Sequence, residues 1–508
     1  MPQPLDASTR PTPLFDVAAT REIERQAAAG LPAGTLMQRA GRATARLALA
    51  LAPHARHFVI ACGPGNNGGD GLDAAARLRA RGKVVTVIHL GDPARLPQDA
   101  QAALQRAQAA QVRFATTMPA GLTCNDLCID ALLGIGASRA PANDMAQLLG
   151  QLHAAPARLL SVDVPTGLDA DSGQLLAAGA AADSAMPACR RHTLTLLTCK
   201  PGLFTGQGRD ACGRIWFDDL GAAQPDTPAP APAPAAWLNR PQPAAPRAHA
   251  SHKGSYGSVA VVGGAANRAR GIAMQGAALL AASAALHAGA GRVHVSLLDE
   301  DAALLGPQQP ELMFRRFSAL PLPELTVVAG CGGGDAIIAL MDPILATAGQ
   351  LVLDADGLNA VARSRTLQQR LAARGAAGQA TVLTPHPLEA ARLLQATTAQ
   401  VQDNRLHAAQ ALAKRYGCTV VLKGSGTVVT APGHAPRINP SGNARLACAG
   451  TGDVLAGFIA AGLASGSPPL AAACLAVYQH GAIADAWPAA MPLTAAALAT
   501  RWPAAAVA

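Results

Sequence analysis

Apolar residues recur at three- and four-residue spacing over residues 18–29 and 36–51, which predicts two amphipathic helices near the start of the chain. The pattern then changes. Residues 57–61 form a short β run feeding a glycine-rich stretch, Cys62 to Gly71, before a helical pattern over 72–81 and a second β run over 84–90. Strand, glycine-rich turn, helix and strand make a βαβ unit of a doubly wound sheet, whose ligand crevice lies at the carboxyl ends of the strands. Further β runs over 127–133, 159–164 and 193–198 run into Gly134-Ile135-Gly136, Pro165-Thr166-Gly167 and Lys200-Pro201-Gly202. The alternation returns in the second half, with β runs at 258–262, 293–298, 325–329, 351–353, 380–384 and 419–423, a small-residue helix at 276–288 and a hairpin strand at 428–430. Both halves are expected to be α/β layers.

Between the halves the sequence turns to Pro-Ala repeats, which hold neither helix nor sheet hydrogen bonds and act as a semi-rigid spacer. This sets a first domain over 14–221, a spacer over 222–247 and a second domain over 248–506. The formal charge of +9 comes from scattered arginines, with no run of five cations and few aromatics to stack bases, so a nucleic-acid partner is not expected. The 10 cysteines lack zinc spacing, as expected of free thiols in a reducing compartment. Residues 1–13 carry no signal-peptide core, and the longest apolar stretches are interrupted or too short to span a bilayer; a cytoplasmic protein without membrane contact is expected.

Three loops at strand ends of the first half are rich in oxygen donors: Asn66, Asn67 and Asp70; Asp130 through Arg139; and Asp163 with Thr166. Each alone is ordinary turn chemistry. Together they suit a hard cation and a polar substrate. In the second half Ala449-Gly450-Thr451-Gly452-Asp453 runs into an apolar helix over 454–463. Bare N–H groups and the helix dipole there make an anion site, with Asp453 at its edge to take a proton from a hydroxyl. A lone Gly-x-Gly-Asp is more often an acidic first turn before a buried helix. His386 between two prolines, Lys423 at a strand end, and Asp354 and Asp356 each admit a bland structural role beside a phosphate, substrate or magnesium contact.

As a set these motifs carry a resemblance. Gly63-Pro64-Gly65-Asn66-Asn67-Gly68-Gly69-Asp70-Gly71, Asp130-Ala131-Leu132-Leu133-Gly134-Ile135-Gly136 and Ser161-Val162-Asp163-Val164-Pro165-Thr166-Gly167 closely resemble NAD(P)H-hydrate epimerase domains. That implies a Rossmann-like domain interconverting the R and S hydrates of NADH and NADPH. Asn66, Asn67, Gly68, Gly69, Asp70, Gly134, Ile135, Gly136, Ala137, Ser138, Arg139, Ala140 and Asp163 would bind the hydrate. Asn67, Asp130 and Thr166 would hold a potassium ion. Asp163 is the candidate acid/base group, and Lys200 is either a phosphate contact or an exposed loop lysine. Gln38 departs from the glutamate expected there.

His252-Lys253-Gly254, Leu353-Asp354-Ala355-Asp356, Thr384-Pro385-His386-Pro387, Leu422-Lys423-Gly424-Ser425-Gly426-Thr427 and Gly450-Thr451-Gly452-Asp453 resemble the ADP-dependent NAD(P)H-hydrate dehydratases, which are ribokinase-like. The resemblance implies Ala277, Gly334, His386 and Asp453 on the hydrate, Lys423, Gly424, Ser425, Gly426, Thr427 and Gly452 on the adenine nucleotide, and Asp453 as the catalytic base. It also implies ADP with Mg2+ and an assembly of identical chains. Ala449, Gly357 and Cys331 depart from the Gly, Ala and Pro expected there. The rival expectations are a kinase for a vitamin-precursor alcohol, and a first domain that only binds.

Overall fold

The computed structural model describes residues 2–5, 11–176, 190–222, 232–240, 247–267, 271–299 and 309–503. It divides into two compact units, residues 1–237 and 238–508. Each is an α/β layer structure.

In the first unit the sheet runs Gln3–Pro4, Arg214–Asp218, Arg191–Leu196, Arg158–Val162, Leu127–Ala131, Phe58–Cys62, Val85–His89, Arg113–Phe114. All pairs are parallel except that of Gln3–Pro4, which runs antiparallel along the edge. Phe58–Cys62 is buried along its length, as a strand covered on both faces must be. It has Val85–His89 on one side and Leu127–Ala131 on the other, so the order reverses there and a crevice opens at the carboxyl ends. One core cluster packs the helices Thr35–Leu51, Asn66–Ala80 and Gln98–Ala109 on one face; a second packs Asn143–Ala154 on the other.

The second unit's sheet runs Met313–Phe314, Arg292–Leu297, Ser258–Gly263, Thr326–Ala329, Gln350–Leu353, Thr381–Leu383, Thr419–Leu422, Val428–Thr430, Arg437–Ile438. It is parallel up to Thr419–Leu422 and antiparallel beyond, which makes 428–430 the expected hairpin strand. Its reversal lies between Ser258–Gly263 and Thr326–Ala329. Helix Thr451–Ala464 is apolar on nearly every side because it is a core helix, lying against Gln275–His287. Gly457 permits that approach: a Cβ there would stand 2.1 Å from the Ala281 carbonyl oxygen.

Two sequence expectations are corrected. The helix expected over 72–81 begins six residues earlier, at Asn66, leaving Gly63 to Gly65 as the turn. Gly68 and Gly69 are helical despite their poor propensity because their missing side chains allow close contact: a Cβ would lie 2.0 Å from the Gly63 carbonyl oxygen and 2.6 Å from Met37 Cε respectively. The spacer is also not uniformly free of strand. Ala236–Leu238 forms one, since these three residues are not prolines and keep their N–H groups, and the following Asn239 N–H donates to the Ile438 carbonyl. Residues 223–231 and 241–246 of the spacer lie outside the described residues.

Gly457→Ala should destabilise the second unit by about 1–3 kcal/mol through overpacking against backbone. Gly150→Ala, whose Cβ would meet nothing within 4 Å on helix Asn143–Ala154, should stabilise by about 0.5–1 kcal/mol. Denaturant unfolding of the two variants, followed by far-UV circular dichroism, checks the opposite signs.

Candidate active sites

The first unit's reversal point holds a cavity of about 570 Å³. Asn66, Asn67, Asp70, Gly134, Ile135, Gly136, Ala137 and Asp163 line it, as expected from the sequence. Ser138, Arg139 and Ala140 are exposed and outside the lining, and Gly68 and Gly69 are buried packing contacts instead. Gln38 is exposed and also outside the lining, so its departure leaves the cavity unaltered.

Asp163 follows strand Arg158–Val162 in the left-handed region, φ 66°, a conformation that a non-glycine residue adopts only under constraint. The constraint is visible. Its N–H donates to the Leu194 carbonyl at 2.7 Å, and one carboxylate oxygen accepts from Lys200 Nζ at 2.5 Å. The other, Oδ2, lies 3.3 Å from where a Gly134 Cβ would be, beside the Asn67 amide. Any side chain at 134 would fill that cradle.

Both sequence alternatives for Lys200 are corrected. Its side chain is 1 % exposed, and its ammonium also donates to the Leu196 carbonyl at 2.7 Å and Thr195 Oγ1 at 3.2 Å. Its place in the turn after strand Arg191–Leu196 puts it beneath Asp163, with its donors already engaged. Around this pair, burial raises Glu24 and the Asp163 charge raises it further; burial and then the Asp163, Glu24 and Asp73 charges hold Asp70 well above the carboxylate range.

Asp130 is the penultimate residue of strand Leu127–Ala131 and is buried. It accepts from Thr166 Oγ1 at 2.7 Å, Thr166 N at 3.0 Å and Leu132 N at 3.2 Å, all neutral donors. Among the described residues no lysine or arginine forms an ion pair with it. Asn67 Nδ2 is buried with no partner. The Asp130 carboxylate, the Thr166 hydroxyl and the Asn67 amide oxygen make an all-oxygen donor set that fits a monovalent hard cation, while the unpartnered Asn67 Nδ2 is a donor that suits an acceptor on a ligand.

In the second unit, Asp453 lies in the first turn of Thr451–Ala464, behind an N-cap Gly450 at φ 90° that offers no side-chain cap. Thr451 N–H donates to the Cys448 carbonyl at 3.5 Å, and the Gly452 and Asp453 N–H groups that follow it are left to a ligand. Burial, then the Asp354 charge, raises Asp453 to about 6, against hydrogen bonding from Cys331 and the Lys423 charge. Lys423 Nζ donates to Asp354 Oδ1 at 2.7 Å and lies 3.4 Å from where a Gly452 Cβ would be. Burial alone would lower that ammonium, but Asp354 and Glu389 carry it above its usual value. Asp354 also accepts from Thr384 Oγ1 at 2.8 Å, so its role is to hold Lys423 rather than merely to form a turn.

The rest of the loop after Lys423 curves through Gly424, φ 127°, and Gly426, φ 62°, with Ser425 exposed and Thr427 Oγ1 donating to the Gly424 carbonyl. The carbonyls of Leu422 and Lys423 accept from the buried guanidinium of Arg405 at 3.2 and 3.0 Å. Gly334, φ 51°, donates its N–H to Asp356 Oδ2 at 2.8 Å, and Ala277 meets the same glycine loop at the start of Gln275–His287. Gly357 suits its place, since a Cβ would lie 2.8 Å from the Ala329 carbonyl oxygen.

His386 caps helix Pro387–Leu394: its Nδ1 accepts from the N–H groups of Leu388 and Glu389, so that nitrogen carries no proton. Nε2–H then faces Glu389 Oε1 at 3.2 Å. Burial raises Glu389 to about 7 and lowers His386. Glu389, Arg405 and Glu24 were missed in the sequence. His386-x-x-Glu389 is a legible capping-box spacing, and Thr20, Glu24 and Ala28 share one helix face, but nothing local marks Arg405.

A family model described as NAD(P)H-hydrate dehydratase matches residues 259–501, and one described as YjeF-related protein N-terminus matches 33–202. The bifunctional NAD(P)H-hydrate repair enzyme Nnr of Escherichia coli K12 is 36% identical, over 92% of this chain and 88% of its own length. The Coxiella burnetii enzyme of that name is 33% identical, over 93% and 94%. A solved ADP/ATP-dependent NAD(P)H-hydrate dehydratase from Bacillus subtilis, co-crystallised with ATP and Mg2+, is 29% identical over 51% of this chain and 92% of its own, with TM-score 0.42. With such identity across nearly the whole of both chains, this protein belongs to the bifunctional NAD(P)H-hydrate repair enzymes.

Proposed function

We propose that residues 14–221 interconvert the R and S hydrates of NADH and NADPH, and that residues 248–506 dehydrate the S form with ADP as phosphoryl donor. The observation that carries the second half is Asp453, a half-buried carboxylate raised to about 6 at an uncapped helix start, with Lys423 over the adjacent glycine. A carboxylate poised near neutrality takes the proton of the hydrate's C6 hydroxyl as that oxygen attacks the β-phosphorus of ADP and AMP departs. The N–H groups of the first turn and the Lys423 ammonium stabilise the transferring phosphoryl group. The ring nitrogen's lone pair then expels phosphate from C6, and loss of a C5 proton restores the dihydropyridine. Magnesium would come with the diphosphate and neutralise it; Asp356 has one oxygen on Gly334 N–H and a second to offer a water of the ion's shell.

In the first unit the hydrate's ring enters the cavity between Asn67 and Asp163. The Asp163 carboxylate, held from beneath by Lys200, acts as acid/base on the hydroxyl while the ring nitrogen loosens the C–O bond. Asn67, Asp130 and Thr166 would hold a potassium ion, which would supply fixed positive charge for orienting the substrate.

The test is recovery of reduced-nicotinamide absorbance from a mixed-epimer hydrate, with ADP present or withheld. Full recovery that needs ADP is expected; a stable phosphorylated alcohol would instead mark a kinase. Asp453→Asn should lower dehydration by about 10²–10⁴-fold with epimerisation intact. Dehydration of the unaltered protein should fall as pH drops through about 6, where Asp453 takes up its proton. The same raised value predicts a stability signature. Ionisation of Asp453 opposes folding, so its favourable contribution is present below the ordinary Asp value and lost as pH rises through about 6. Asp453→Asn should therefore melt higher than the parent at pH 8, by a margin that closes on acidification. Asp130→Asn should slow epimerisation and remove any difference between potassium and sodium buffers, read by the interconversion rate of the two hydrates.

A further inference from the structure

Near the second unit's reversal point a thiol and two carboxylates meet. Cys331 follows strand Thr326–Ala329, Asp354 follows Gln350–Leu353 and Asp453 lies on Thr451–Ala464. The Cys331 sulfur and one carboxylate oxygen from each aspartate all lie within 4.8 Å of one another. Cys331 and Asp354 are buried, and Asp453 is half-buried. Ligands around a tetrahedral ion with metal–sulfur and metal–oxygen bonds of about 2.3 and 2.1 Å stand roughly 3.5 Å apart, so side-chain rotations suffice to close this set.

We propose that Cys331, Asp354 and Asp453 form a site for a thiophilic divalent cation, Zn2+ or Cd2+, whose occupation blocks phosphoryl transfer. The block rests on the dehydratase function proposed above; the binding does not.

The chemistry separates this ion from nucleotide-borne magnesium. Mg2+ takes oxygen ligands and leaves sulfur alone, whereas thiolate selects the softer ions. Charge also balances. With the thiol deprotonated and both aspartates ionised, three negative charges face the single positive charge of Lys423, and a dication neutralises the excess. The proton leaves Cys331 for solvent as the metal–sulfur bond forms, with no change of oxidation state. Lys423 remains on Asp354 Oδ1 at 2.7 Å as an outer partner, leaving Oδ2 for the ion. The free thiol is no competing nucleophile, because burial followed by the two aspartates holds its pKa far up. Bound metal would take the Asp453 lone pair needed to deprotonate the substrate hydroxyl.

The experiment titrates the full-length protein with Cd2+, without nucleotide, following the ultraviolet thiolate-to-cadmium charge-transfer band. Dehydration and epimerisation are then assayed at each metal concentration. Loss of even an outer-shell partner weakens metal sites by roughly 10–100-fold, and loss of the ligating sulfur should do at least as much. Cys331→Ser should thus lose one band-equivalent relative to the parent and need at least about tenfold more Cd2+ to halve its own metal-free dehydration rate. Epimerisation should respond alike in both proteins. Equal band intensity in parent and variant overturns the site; a lost band with unchanged inhibition retains the site and overturns the block. Cadmium-soaked crystals of the unaltered protein need no variant: an anomalous peak within bonding distance of Cys331 Sγ is expected, and no peak there refutes the assignment.

Discussion

A carboxylate removed from water at the end of a buried strand needs a nearby cation or a full set of donors. In each unit one lysine answers that need. Lys200 lies on Asp163 at 2.5 Å and Lys423 on Asp354 at 2.7 Å. Much of the local geometry follows. Lys200 occupies the space under Asp163, so the aspartate is carried into a left-handed backbone and its free oxygen turns to the cavity. Lys423 brings together the ends of Gln350–Leu353 and Thr419–Leu422, with Thr384 on the same carboxylate oxygen.

The two pairs differ in what surrounds them. Lys200 is almost fully buried with its donors all engaged inside the protein, so it positions Asp163 and reaches Glu24 only through its charge. Lys423 is 20 % exposed at the side chain and lies over Gly452, so its charge also reaches a ligand at the helix start. A pair that only positions an acid can be closed off, whereas one that also meets a diphosphate must keep a path to it. Asp453 has no lysine of its own and is left raised to about 6. That arrangement sacrifices stability for basicity near neutral pH, as buried functional carboxylates do.

Much of this was legible in the sequence because periodicity and strand-end motifs are local. The strands that were expected came within about two residues of their bounds, though Arg214–Asp218 and Arg437–Ile438 were not among them; Asp163 and Lys423 stand at the expected strand ends, and Asn67 and Asp453 in the first turns of helices. What escaped depends on distant residues. The early start of Asn66–Ala80 depends on Gly68 fitting against Gly63 and Gly69 against Met37, and helix propensity argues the other way. Lys200 looks in sequence like any lysine before Pro-Gly; only Asp163, far upstream, explains its burial. Arg405 opens helix Arg405–Tyr416 with no local signal of its role, yet it holds the carbonyls that begin the Lys423 loop.

Among the described α-helices, three have glycine as N-cap: Thr35–Leu51 behind Gly34, Asn66–Ala80 behind Gly65, and Thr451–Ala464 behind Gly450. Gly34 and Gly65 line the first unit's cavity, and Gly450 precedes Asp453. Several helices elsewhere are capped by side chains, from Asp16, Ser364, Thr397, Asn404 and Thr494. Replacing a Ser, Thr, Asn or Asp cap by glycine loses only a few tenths of a kcal/mol, far less than replacement by alanine. Glycine is thus the least damaging way to keep side-chain oxygens away from the first-turn N–H groups. A polar cap would satisfy those donors intramolecularly and compete with an incoming phosphate or hydroxyl. Unmet donors at Asn66–Ala80 and Thr451–Ala464 are therefore a consequence of which residue precedes each helix, and the ligand supplies what the cap withholds.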